Sequence, residues 1–225
     1  MIRLFEALLA ELESGRAAVL CSILASSGSA PRGAGAKMLV RADGTTLGTV
    51  GGGAVELRAA QLAQEALRTG RSAVEGFILR PNDVADIGMI CGGNVTVYLQ
   101  YFDPADLAAR ALIGDVLRLL REGRVNAWLV KRLSGSTLTD MGLYDEENGL
   151  SHTSCIGEEA LRPLLRSRAV LQKGDPAYYV EPIVRTGRVY VFGGGHVGKA
   201  LVPVLAHVGF RVTVFENRPA FAVPE

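Results

Sequence analysis

Residues 188–219 read RVYVFGGGHVGKALVPVLAHVGFRVTVFENRP: a β-branched run, a glycine turn, an apolar helical segment and a second β-branched run. This order predicts strand, turn, helix and parallel strand, because strands joined by a helix-length crossover pair in the same direction. Within the spacing Gly193-x-Gly195-x-x-Gly198, Gly193 permits the tight turn, Gly195 a close approach by a ligand and Gly198 the packing of helix on strand. The helix N-terminus offers free N–H groups to an anion, so phosphate or a nucleotide is the ligand class. His196 can donate to that anion or cap the helix, and Glu216, ending the second strand, can take a ribose hydroxyl pair. The plainer alternative is a turn that only tightens the fold. Pro203, inside the helix, predicts a kink, because it removes a donor and clashes with the preceding turn. A single βαβ unit leaves its sheet edges open, so either a partner chain, as in a homo-oligomer, completes it or the sequence is a shortened form.

Upstream, the pattern is that of a mixed α/β domain. Leu4, Leu8, Leu9 and Leu12 recur at helical spacing and Gly15 stops that helix. Residues 17–26 read as a buried strand, and residues 36–41 and 46–50 as a hairpin turning on Asp43-Gly44. Residues 54–70, with Val55, Ala59, Leu62, Ala63, Ala66 and Leu67 on one face, form an amphipathic helix. Strands follow at 73–79 and 94–102, the second with Val95, Val97 and Leu99 alternating against Thr96 and Tyr98. A helix over 104–122, a strand over 126–133, a hairpin through 145–149 and a helix near 158–168 complete it. The expected architecture is a mixed α/β N-terminal domain over 1–175, a linker over 176–187 and the first βαβ unit of a Rossmann-like domain over 188–225.

Composition narrows the function. The 225 residues are 48% hydrophobic and 21% charged, as in an ordinary globular protein. Lys plus Arg number 24 against 23 Asp plus Glu, too balanced for a field that draws the chain to nucleic acid or anionic lipid. Glu6, Glu11 and Glu13 break the N-terminal segment as a secretory leader, and no apolar stretch is long enough to span a bilayer. Three scattered cysteines give neither a disulfide framework nor a CxxC metal pair, so the expected compartment is the cytoplasm.

The 27 glycines are clustered at element junctions, in SSGSAPRGAG (26–35), GTVGGG (48–53), GMICGG (88–93) and GGGHVG (193–198). Glycines there permit positive φ and let backbone approach a ligand. Gly51, Gly52 and Gly53 precede a helix, a second candidate anion site, although Glu56 can instead occupy the first-turn N–H groups. Arg32 and Lys37, with Ser26, Ser27 and Ser29, give the first loop cations and hydroxyls suited to a phosphate or a polar heterocycle; the alternative is a solvated connector. Cys91, flanked by Gly92 and Gly93, is the thiol placed to reach a bound ligand, and a soft thiolate suits a molybdenum or sulfur-transfer centre; it could equally be a small buried residue. Cys21 reads as core, and Cys155 beside His152 lacks a third catalytic group. A nicotinamide-dependent oxidoreductase using the GGGHVG turn is a second class of function, and a structural interaction module a third.

The four motifs in this order, SSGSAPRGAGAKMLV, GTVGGGAVE, CGGNVTVYL and the 188–219 stretch, resemble the XdhC/CoxF (XdhC/CoxI-like) family of molybdenum-cofactor chaperones. The resemblance implies a non-enzymatic protein that binds molybdopterin cofactor, protects it, supports its sulfuration by a cysteine desulfurase and inserts it into a xanthine dehydrogenase-type molybdenum hydroxylase apo-enzyme. It implies Arg32 and Lys37 at the pterin phosphate and Cys91 at the metal–sulfur end. Many relatives carry cysteine where this sequence has Ala54 and aspartate where it has Glu216, and they continue beyond the equivalent of Pro219.

Overall fold

The computed structural model describes residues 1–28, 30, 32–79, 93–123, 126–135, 137–183, 187–208 and 210–221. The chain forms two compact units, residues 2–183 and residues 184–225.

In the first unit, α1 (Ile2–Glu13) is followed by β1 (Ala18–Gly28), β2 (Lys37–Arg41), β3 (Thr46–Gly48) and α2 (Gly53–Thr69). Next come β4 (Ala73–Leu79), β5 (Gly93–Phe102) and α3 (Leu107–Glu122). The remainder is β6 (Ala127–Ser134), β7 (Thr137–Asp145), β8 (Gly149–Ser151), α4 (Glu158–Leu161), β9 (Val170–Gln172) and β10 (Ala177–Pro182). The strands build two five-stranded antiparallel sheets, β3-β2-β1-β5-β4 and β8-β7-β6-β10-β9. Each sheet is covered on both faces. The outer face of the first, with Val19, Cys21, Met38, Val97 and Leu99, packs on Val55, Ala59, Ala63 and Ala66 of α2. The outer face of the second, with Trp128, Val130 and Val180, packs on Ile156, Leu161 and Leu164. Leu20, Leu39 and Phe102 from one sheet share a core with Leu129 and Leu143 from the other and with α1 and α3.

Several expectations change here. The alternation along β5 is not apolar against solvent: Tyr98 is 0% exposed and Gln100 is 2% exposed, because their face meets Leu24, Leu133 and Tyr179. Residues 177–182 are not linker, since β10 lies between β6 and β9 within the second sheet. The hairpin does not close through a two-residue turn. Gly44 N–H donates to Arg41 O (2.9 Å) and Arg41 N–H to Thr45 O (3.0 Å), with Gly44 at φ 82°, the three-residue form with a bulge. The helix near 158–168 is shorter than the spacing suggests, giving way to a 3₁₀ turn at Arg162–Leu164, because Pro163 brings no N–H and restricts the residue before it.

The second unit runs β11 (Arg188–Phe192), α5 (His196–His207), β12 (Arg211–Phe215) and a 3₁₀ turn at Pro219–Phe221. β11 and β12 pair in parallel, Arg188 opposite Arg211 and Phe192 opposite Phe215, so the βαβ unit is present; α5 continues through Pro203 to His207.

Between the sheets lies a placement that hydrophobicity does not explain. Lys131 is 0% exposed, with its Nζ 5.3 Å from the centre of the Tyr98 ring and no hydrogen-bond partner among the described residues. Burial pushes the Lys131 ammonium down to about 8, with Glu181 opposing the shift and Lys37 adding to it. An unfolded lysine titrates near 10.4, so between about 8 and 10 the unfolded chain binds the extra proton and stability rises with pH. The stability of the parent minus that of Lys131→Met is therefore expected to grow by roughly 3 kcal/mol from pH 7 to pH 10.5. Urea denaturation of both variants across that range measures it, and a pH-independent difference contradicts it.

Candidate functional site

The antiparallel order of the first sheet decides where its loops go. β1 ends at Gly28, which pairs with Gly93 at the start of β5; Gly93 also pairs with Leu79 at the end of β4. β2 begins at Lys37, opposite Ser22, and Met38 pairs with Gly48 at the end of β3. The 28–36 connection, the 48–53 connection into α2 and both ends of the connection between β4 and β5 therefore meet at one end of one sheet. Two of the four glycine clusters singled out in the sequence, 26–35 and 48–53, and Gly93 of a third share that end. The fourth, 193–198, lies in the other unit.

The two cations expected at the phosphate part company. Arg32 is exposed, as are Ser26 and Ser27. Lys37 is buried, its side chain 4% exposed, and its Nζ donates to Glu181 Oε2 and to Gly35 O (3.2 Å). Lys37 is thus not free to hold a phosphate; it is an internal tie to a carboxylate 144 residues away. Tyr179 adds to the tie, its one hydroxyl proton shared between Glu181 Oε2 (3.0 Å) and Ile23 O (3.2 Å). Burial and the adjacent carboxylate hold the Tyr179 phenol well above its ordinary range. Tyr179, Glu181 and Lys131 did not emerge from motif reasoning. Their signal is weak but present: Lys131 sits between Leu129 and Leu133, and Glu181 between Tyr179 and Ile183, charges in phase with core positions.

Gly51, Gly52 and Gly53 have φ of 140°, 70° and 58°, a run only glycine sustains without strain. The helix they open is not a bare anion site. Glu56 Oε2 accepts from Gly52 N–H (3.2 Å) and from the Thr49 hydroxyl, while Gly51 N–H donates to Thr49 Oγ1 (3.0 Å). Of the two alternatives for Glu56, the structure shows the internal cap. Gly48 is fixed more tightly still: at φ 85°, a Cβ would lie 2.6 Å from Lys37 O.

Cys91 and Gly92 lie outside the described residues, whereas Gly93 opens β5 beside Gly28. Cys21 is core as expected, and burial pushes its thiol up to about 12. Cys155 is exposed, and His152, at φ 59°, pairs through Nε2 with Asp115 Oδ2 (2.7 Å) rather than with a cysteine. Among the described residues no group of three or more His, Cys, Asp or Glu side chains could hold a metal ion.

In the second unit, Gly193 has φ 109° and its N–H donates to Phe215 O (2.8 Å), closing the turn. A Cβ at Gly198 would collide with the Gly193 carbonyl, the close packing that the spacing implied. Gly195 is the N-cap of α5 and has no side-chain cap bond. Glu216 is engaged within the turn, accepting from Gly194 N–H (2.8 Å) and from Arg218 Nε and Nη2 (2.9 Å each). Those bonds, Arg218 foremost, hold its carboxyl well below the usual carboxylate range. His196 begins α5.

The separation of Arg32 from Lys37 gives a direct expectation. Lys37→Ala strands the buried Glu181 carboxylate and should cost about 3–5 kcal/mol, whereas Arg32→Ala should change stability by less than about 0.5 kcal/mol. Thermal or urea unfolding of both variants measures this, and equal effects would contradict the assignment.

Residues 11–78, which contain β1 to β3, α2, all but the last residue of β4 and the first two glycine loops, match the XdhC and CoxI family. The chain is 41% identical over 89 residues to the molybdenum cofactor insertion chaperone PaoD of Escherichia coli, covering 40% of this chain and 28% of that one. It is 27% identical over 214 residues to a probable xanthine dehydrogenase component of Bacillus subtilis, covering 93% of this chain and 62% of that one. A solved structure described as a xanthine dehydrogenase, from Bacillus halodurans, superposes with a TM-score of 0.75 at 26% identity, covering 99% of this chain and 64% of that one. The chain thus spans less than two thirds of the length of each of these relatives. The match to the XdhC and CoxI family thus falls on the module whose loops meet at one end of the first sheet.

Proposed function

We propose that this chain is an accessory protein that binds molybdenum cofactor, protects it, supports its sulfuration by a cysteine desulfurase and hands it to a xanthine dehydrogenase-type apo-enzyme. The observation that carries the reading is that the 28–36 and 48–53 glycine loops and Gly93 share one end of the first sheet, within and beside the region matched to the XdhC and CoxI family. Likeness to a molybdenum cofactor insertion chaperone over 89 residues supports the same reading.

The chemistry required is modest. The pterin phosphate needs a cation and hydrogen-bond donors at an open surface, and Arg32 with the Ser26 and Ser27 hydroxyls supplies them there. Lys37 fixes the loop rather than the ligand, and Glu56 closes the N-terminus of α2, so the binding falls on the 28–36 loop. Cys91 is proposed at the metal–sulfur end, in the connection that returns to the sheet at Gly93 beside Gly28. No residue in this arrangement is assigned a catalytic step. No helix among the described residues is long and apolar enough to cross a membrane.

Anaerobic co-purification followed by molybdenum and pterin analysis tests the reading, with delivery read as activity restored to a molybdenum hydroxylase apo-enzyme. Arg32→Ala should lower pterin-phosphate affinity about tenfold at low ionic strength and by less at high salt, since an exposed charge contact is screened within about 8–10 Å. Cys91→Ser should lower molybdenum retention while leaving the fold intact. Parent protein that carries no pterin and restores no activity would sink the proposal.

A further inference from the structure

We propose that Tyr179 and Glu181, both on the second sheet, are positioning residues that hold the neck of the 28–36 loop and so set where Arg32 stands; this rests on the reading of Arg32 as the contact to the pterin phosphate. The neck is held at three points. Ile23 O accepts from Gly35 N–H (2.9 Å) and shares the Tyr179 hydroxyl proton (3.2 Å) with Glu181 Oε2 (3.0 Å). Ile23 N–H donates to Ala36 O (2.9 Å), so the outgoing and returning strands meet there. Lys37 Nζ bonds Gly35 O and the Glu181 carboxylate together. The backbone at Gly35, at φ 93°, runs close to the second sheet: a Cβ there would stand 3.6 Å from the Ala169 Cβ and 4.0 Å from Glu181 Oε2. Arg32 is three residues from Gly35, so whatever moves this neck moves the exposed guanidinium.

Cohesion between the sheets does not require these polar groups. The shared apolar cores already join them, and a buried ion pair is commonly no more stabilising than apolar side chains of the same volume. What the pair adds is direction. Glu181 Oε2 is committed to Lys37 and Tyr179 although a second cation, Lys131, faces the same space from β6, opposite Tyr179. The carboxylate is thereby tied to the loop neck rather than to its neighbour in the sheet.

Tyr179→Phe keeps the ring and removes only the hydroxyl; the double variant Lys37→Met with Glu181→Met removes the ion pair without leaving a stranded charge. In the full chain, hydrogen exchange of residues 24–37 is expected to quicken in both, with α1 and α3 unchanged. The probes for binding are the oxidised molybdenum-free pterin in its phosphorylated and dephosphorylated forms, followed by pterin fluorescence. Preference for the phosphorylated form should fall about tenfold in each variant, as in Arg32→Ala, with affinity for the dephosphorylated form retained. Adding Arg32→Ala to Tyr179→Phe should bring no further loss. Faster exchange with an unchanged phosphate preference, unchanged exchange, or equal loss for both pterins overturns the positioning role. Parent protein with no preference for the phosphorylated pterin overturns the reading of Arg32 itself, and this inference with it.

Discussion

The Lys37–Glu181 ion pair is the constraint around which the first unit is arranged. Hydrophobic burial between two five-stranded sheets is non-directional, so leucines do not by themselves say which strand must face which. A buried charge is not indifferent. Each partner would carry a large desolvation penalty if the other moved away, so the register of β2 against β10 is fixed to within hydrogen-bonding distance. Tyr179 extends the same tie to β1, its hydroxyl proton shared between Glu181 Oε2 and Ile23 O. Three strands from two sheets are thus held at one place, and that place is the base of the loop carrying Arg32.

The local elements were legible in the sequence because their physics is local. The α2 face of Val55, Ala59, Ala63 and Ala66 is buried as its spacing demands, and the βαβ unit follows from two β-branched runs separated by a glycine turn and a helix. The partner of each charge was not legible. Lys37 sits in a segment of glycines, serines and cations that reads as ligand-binding, and its neutralising carboxylate lies 144 residues downstream in what reads as a linker. Tyr98 and Gln100 show the same limit. Their alternation with Val97 and Leu99 gives the period of a strand, but period does not tell that both faces are covered. Antiparallel sheets often leave one face wet, and here a second sheet takes the place of water.

Glycines divide by consequence rather than by count. Gly48 and Gly198 cannot bear a side chain because backbone carbonyls already occupy the space, Lys37 O in one case and Gly193 O in the other. Gly51 to Gly53 are required by positive φ, which turns the chain into α2 while Thr49 and Glu56 take up the freed N–H groups. The resulting internal satisfaction explains why a glycine run before a helix, the usual sign of an anion site, is here a corner. A carboxylate already in the first turn competes with any incoming anion by charge and by occupancy.

The same competition bears on how firmly the proposed cargo is held. With Lys37 neutralised by Glu181 and the α2 terminus filled by Glu56, the positive charge that the loop offers to a phosphate comes from Arg32 at an open surface. An exposed cation on a loop gives a contact that is screened by salt and open to exchange with solvent. A protein that keeps its cofactor permanently gains from burying several charged contacts around it. A protein that must pass the cofactor on gains from the opposite arrangement, because the acceptor has to bind it more tightly than the carrier does. The distribution of charge at this end of the sheet, with a buried tie beneath and an exposed cation above, suits a carrier.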